Sequence, residues 1–125
     1  MKKFSIACLL FFFGATTYAL PATCPDPVHS TLRWGAIPPP WILNPFSDQR
    51  PQPSEYNEFM RANILVTGVI GRGVVCNYKN PLGFFSIWWE TSVKRPARSE
   101  NQWRDAIAGY ECSDSVEECV FYVGR

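Results

Sequence analysis

The stretch VVCNYKNPLGFFSIWWETSV, residues 74–93, reads as two antiparallel strands folded back on each other. Asn80-Pro81-Leu82-Gly83 has Asn first, Pro second and Gly fourth, the residues of a type I turn. Period-two reading of the second strand sends Phe85, Ile87, Trp89 and Val93 to one face, expected as core. Phe84, Ser86, Trp88, Glu90 and Ser92 fall on the other. That second face mixes two large aromatics with polar residues. It reads equally as a docking patch or as a surface covered by another part of the chain.

Working outward, the N-terminus sets the compartment. Lys2 and Lys3 precede an apolar run from Phe4 to Gly14, and Ala15 to Ala19 closes it with small residues at Thr17 and Ala19. This is the pattern of a secretory signal peptide, residues 1–19, with cleavage expected after Ala19. The apolar run is shorter than the roughly 20 residues that span a bilayer. Cys24 follows closely enough to raise lipidation, but Pro21 and Thr23 suit an acylation motif poorly. Loss of Lys2 and Lys3 leaves ten basic against eleven acidic residues, a formal charge of −1. Without a basic excess, neither nucleic acid nor an anionic membrane is an expected partner. Residues 20–125 fit one domain, and no second apolar segment is long enough to span a membrane.

Cys8 leaves with the signal, so Cys24, Cys76, Cys112 and Cys119 remain, an even count that implies two disulfides in an oxidising compartment. Four cysteines allow three connectivities. The arrangement favoured is Cys112 with Cys119, closing a local loop, and Cys24 with Cys76, tying the N-terminal segment to the hairpin. A zinc site lacks C-x-x-C spacing and has His29 as its only imidazole, so no metal or cofactor is expected.

Residues 20–53 contain most of the prolines, which excludes a helix or central strand. Trp34, Ile37, Trp41, Ile42, Leu43 and Phe46 are interleaved with them, so an ordered, extended arm laid across the sheet is expected. Pro38-Pro39-Pro40 reads either as a polyproline ligand for another protein or as packing on the domain's own core. Ser54 to Glu58 suggests a turn of helix capped by Ser54, and Ala62 to Val69 a strand. Gly68, Gly71 and Gly73 flank Arg72 in the next bend, which lacks the features of a phosphate loop. Ser99 and Gln102 form a capping box before Trp103 and Ile107, four apart, and Gly109 stands where a helix of two to three turns would end. An acidic loop, Ser113 to Glu118, leads to a last strand from Cys119 to Val123. The expected fold is mainly β, or α+β: an antiparallel sheet of four to five strands, one short helix and the Pro/Trp-rich arm, stapled by two disulfides.

Candidate chemistry is sparse. A Ser-His-Asp triad would have to use His29, and the carboxylates Glu90, Asp105, Glu111, Asp114, Glu117 and Glu118 read as solvated surface charge, so catalysis is not expected. Aromatics are the stronger lead, because 15% of the chain is Phe, Trp or Tyr and five Trp are hard to bury in a domain this small. Phe84, Trp88, Trp41 and Trp34 are the candidate interaction residues. Exposed aromatics serve protein interfaces, homodimers included, and also stack on sugars.

Several motifs together carry a family resemblance: Cys24-Pro25-Asp26-Pro27, Trp34-Gly35-Ala36-Ile37-Pro38, Pro40-Trp41, Asn44-Pro45-Phe46, Arg61-Ala62-Asn63-Ile64, Gly73 to Tyr78 and Cys119-Val120-Phe121-Tyr122. They resemble the EirA-like periplasmic proteins of Legionella and Coxiella, small exported proteins associated with the Dot/Icm type IVB secretion system. The resemblance implies a non-enzymatic periplasmic protein that supports the secretion apparatus through protein contacts, and so effector translocation and replication in a host. A cell-envelope glycan or peptidoglycan-binding module is the alternative.

Overall fold

The computed structural model describes residues 20–66 and 72–124. Residues 1–19, expected as a signal peptide, and Gly68, Val69 and Gly71 lie outside the described residues. The central hairpin forms as its turn chemistry dictates, from β4 (Gly73–Asn80) to β5 (Gly83–Trp89), with Asn80 paired to Gly83 across the bend. The Asn80 side chain accepts the Leu82 N–H at 2.8 Å, the self-bonding that makes Asn a turn initiator. At the other end of the ladder Gly73 has φ +125°, and a Cβ there would collide with the Trp89 carbonyl.

Around this pair the chain adds β1 (Leu20–Ala22), β2 (Ile42–Leu43), β3 (Glu58–Leu65), β6 (Arg104–Ala106), β7 (Gly109–Cys112) and β8 (Phe121–Val123). Six of the strands make one antiparallel sheet, in the order β2-β5-β4-β3-β7-β6, while β1 and β8 form a separate two-stranded sheet. The large sheet is thus wider than the four to five strands expected. A single 3-10 turn, Thr31–Arg33, capped by Ser30, is the only helical element among the described residues.

The segment expected as a helix is β6 and β7. Its capping chemistry is present in a different register: Glu100 accepts the Ala97 N–H on its side chain at 2.9 Å and donates its own N–H to the Ala97 carbonyl at 2.9 Å. That closes one isolated turn. A helix of two to three turns is marginal alone, whereas β7 completes the open side of β3 through Ala62↔Cys112, Asn63↔Glu111 and Ile64↔Tyr110. Trp103 is buried as expected, but Ile107, at the hairpin tip, is fully exposed, so the two share no face. Likewise Ser54 to Glu58 is a turn, not a helix: the Ser54 hydroxyl accepts the Tyr56 N–H at 3.0 Å and β3 begins at Glu58.

Only one face of the sheet is core. Val74, Cys76, Tyr78, Phe85, Ile87, Ala62, Ile64 and Cys112 are buried there. They pack under Cys24, Leu32, Trp41, Trp103 and Phe121, which come from the N-terminal arm and the C-terminal third of the chain. Trp41 meets Trp89 and Phe121 edge-on, at 5.6 and 6.3 Å, and Tyr78 stacks on Phe85 at 5.1 Å. Cys24–Cys76 and Cys112–Cys119 are the disulfides. The small sheet is tied in by Lys94 N–H to the Tyr122 carbonyl at 2.8 Å and by the Trp103 indole N–H to the Val120 carbonyl at 2.8 Å. Within the proline run, Trp41 N–H donates to the Pro38 carbonyl at 2.9 Å, which makes residues 38–41 a turn and not an extended polyproline ligand.

Tyr78 donates its hydroxyl to the Pro25 carbonyl at 2.6 Å beneath the arm. Burial first, and then the Asp26 carboxylate, push its pKa well above 10.0. The native state therefore keeps this proton where the unfolded chain releases it, and unfolding free energy falls as pH rises past 10.0. Urea titrations at increasing alkaline pH are expected to show a loss approaching about 1.4 kcal/mol per pH unit from this group. Tyr78→Phe is expected to cost about 1 kcal/mol at neutral pH and to flatten that alkaline decline.

Candidate functional site

The candidate site is the sheet face opposite the core. Strand alternation places Phe84, Ser86 and Trp88 of β5 beside Lys79, Asn77 and Val75 of β4, which in turn lie beside Glu58, Arg61 and Asn63 of β3, with Leu65 next along β3 opposite Gly73. The Asn77 amide bridges the strands, donating to the Arg61 carbonyl at 3.2 Å and to Asn63 Oδ1 at 3.0 Å. At one end the Trp88 indole N–H donates to the Arg72 carbonyl at 3.2 Å, which fixes the ring over the sheet.

Ser86 explains how the arm meets this face. It is buried although its neighbours Phe84 and Trp88 are not, because the loop after β2 wraps around it. Asn44 donates its side-chain amide to Ser86 Oγ at 2.9 Å and its backbone N–H to the Ser86 carbonyl at 3.1 Å. Ser47 Oγ accepts the Ser86 N–H at 2.9 Å. The Phe46 N–H closes the loop on Asn44 Oδ1 at 3.2 Å. The arm therefore divides. Its first part, up to Trp41, covers the core face, and Asn44-Pro45-Phe46 crosses the β5 edge to the outer face.

The crossing displays Phe46, 73% exposed, near Phe84, 54% exposed, and half-buried Trp88. On one side of Phe46 lies an apolar hollow of about 130 Å³ lined by Pro45, Leu65, Val75 and Trp88. On the other is a mixed groove of about 260 Å³ bounded by Phe84, Asp48, Arg61 and Asn77. The loop thus covers Ser86 and leaves the flanking aromatics open.

Of the four aromatics named from sequence, the structure brings two, Phe84 and Trp88, to this face. Trp41 is 7% exposed and belongs to the core, so it is no interaction residue. Trp34 is 68% exposed but stands elsewhere, at the end of the 3-10 turn, with the Arg33 guanidinium 5.0 Å over its ring and a bridge to Pro53. Phe46, Leu65 and Val75 complete the surface and were not singled out as site residues from sequence. The Asn44-Pro45-Phe46 motif was the available signal for the first of them.

His29 sits in an exposed turn, its Nδ1 3.2 Å from Asp26 Oδ1. Burial would raise the Asp26 pKa, but the N–H groups of Val28 and His29, with the imidazole, outweigh it and hold the carboxyl below its ordinary range. The arrangement is that of a capped turn. Among the described residues no three His, Cys, Asp or Glu side chains converge as a metal-ligand set, and no helix is long and apolar enough to cross a membrane. Comparison of the chain with family models, with curated proteins and with solved structures returns no match.

Proposed function

We propose that the chain is a non-enzymatic, exported periplasmic protein that supports a type IVB (Dot/Icm) secretion system by protein–protein contact through the outer face of its sheet. The observation that carries this reading is the exposure of Phe46 and Phe84 beside Trp88 on a rigid, disulfide-stapled sheet. Aromatic anchors flanked by polar and charged side chains are the composition of interface centres. The family resemblance in the motifs around Cys24, Trp41 and Cys119 supplies the apparatus, and the disulfides and their burial accord with an oxidising compartment.

Cross-linking in intact cells followed by pull-down tests the proposal. Envelope components of the secretion system are expected to co-purify with the wild-type chain, and Phe84→Ala with Trp88→Ala is expected to reduce both their recovery and effector translocation severalfold, with folding retained. Recovery of no secretion component, or translocation unchanged in the double variant, overturns the reading or its surface. A second reading is favoured by the groove beside Phe84, where Asp48, Arg61 and Asn77 offer hydrogen bonds next to an aromatic edge: a glycan-binding module of the envelope. Co-sedimentation with purified sacculi that is lost in Phe84→Ala would support it.

A further inference from the structure

A cationic hollow lies at the end of the large sheet, where β3 runs out and β4 begins. It measures about 160 Å³ and is lined by Arg72, Ser92 and Arg95 together with Leu65, Val66 and Val93. Its two sides come from residues 65–73 and 91–97, which contain Arg72, Lys94 and Arg95 and no Asp or Glu. The chain expected after export carries a formal charge of −1, so this concentration of cations is local.

Backbone hydrogen bonds hold both sides in place. The Arg72 carbonyl accepts the Trp88 indole N–H at 3.2 Å, and Val66 donates its N–H to the Ala108 carbonyl at 3.1 Å. Across the hollow the Ser92 carbonyl accepts the Gly124 N–H at 2.9 Å, Val93 bridges to Val123, and Lys94 donates its N–H to the Tyr122 carbonyl at 2.8 Å. Both guanidiniums are thus carried on fixed main chain, on exposed side chains. Among the described residues neither has a carboxylate within 4.0 Å. Glu90, two residues before Ser92, does not line the hollow. Two like charges that border one hollow without a counter-charge favour an anionic occupant.

We propose that this hollow captures the C-terminal carboxylate of a partner polypeptide whose last side chain is aliphatic. The carboxylate takes the forked donors of Arg72 and Arg95, with the Ser92 hydroxyl as a further donor, and the side chain lies on Leu65, Val66 and Val93. A phosphate group would use the guanidiniums and leave the apolar half of the lining bare, whereas a peptide terminus places an anion and an apolar group side by side. The hollow adjoins the aromatic face through Leu65, which lines both, but uses neither Phe46 nor Phe84, so it stands without the reading of that face.

Fluorescence anisotropy with the disulfide-bonded protein and a short glycine-serine peptide, labelled at its N-terminus and ending in leucine with a free carboxylate, tests the proposal. Binding is expected to weaken about tenfold when the peptide is amidated at its C-terminus, and about tenfold in Arg72→Gln or Arg95→Gln. It is expected to weaken severalfold when serine replaces the terminal leucine, to fall with added salt, and to be unchanged in Phe84→Ala. Neither arginine makes an ion pair in the structure, so both variants are expected to unfold at the wild-type urea midpoint, and a reduced affinity reports the site and not misfolding. The proposal is overturned if the peptide does not bind at millimolar concentration, if the amidated peptide binds as well, or if both arginine variants bind like wild type. It is also overturned if phosphatidylglycerol vesicles bind through the two arginines and the peptide does not, or if the peptide binds only a variant lacking Arg125, the hollow then being filled by the chain's own residues after Gly124.

Discussion

Replacing Cys24 and Cys76 together by alanine will lower the free energy of unfolding by about 4 kcal/mol, as the chain-entropy account gives for the loop closed by a bridge between residues 52 apart. A domain of this size has a total stability of about 5–15 kcal/mol, so the variant stands near the edge of folding. The loss has a structural side as well. Both cysteines are buried, and the bridge holds the segment that carries the Pro25 carbonyl over Tyr78. The Cys112–Cys119 bridge spans 7 residues, and the same account gives about 2 kcal/mol for its removal. Urea unfolding of the two alanine pairs, compared with wild type, is expected to show the larger midpoint shift for Cys24/Cys76.

Trp41→Ala will cost about 3–5 kcal/mol, the range for deleting a large aromatic from a packed core. Its ring fills the space between Trp89 and Phe121 under the arm, with edge-on contacts to both. Trp34→Ala, seven positions earlier in the same Pro-rich arm, will cost less than about 1 kcal/mol, since it loses an exposed stacking contact with Arg33 and little else. The contrast separates core from surface within one segment. Thermal melts of the two variants read it directly, and a Trp41→Ala protein with wild-type stability would contradict the packing described.

What was legible in the sequence was what neighbours decide. The hairpin follows from Asn80-Pro81-Leu82-Gly83 and from alternation on both sides, and the burial of Phe85 and Ile87 follows with it. Cysteine pairing was legible to the extent that a short C-terminal loop and a tether for the arm are the economical closures. What failed depends on distant partners. The capping pattern at Ser99 and Gln102 is local, whereas the demand of β3 for a strand on its second side comes from residues about fifty positions away in the chain. Trp34 and Trp41 look alike in a Pro-rich arm that has no periodicity to separate inside from outside. Ser86 reads as ordinary polar-face filler. Its role as the peg for the crossing loop rests on Asn44 and Ser47, at sequence separations of 42 and 39. Without that crossing, Phe46 cannot be assigned to the surface it completes.

The outer face of the sheet as the working surface is the central claim, and site-specific photo-crosslinking in living cells tests it most directly. A benzophenone amino acid placed at Phe84, beside the groove bounded by Phe46, Arg61 and Asn77, is expected to give covalent adducts with envelope components of the secretion apparatus. The same probe at Trp34, equally accessible and away from that face, is expected to give none of them. Adducts absent at Phe84, or identical at both positions, would contradict the account.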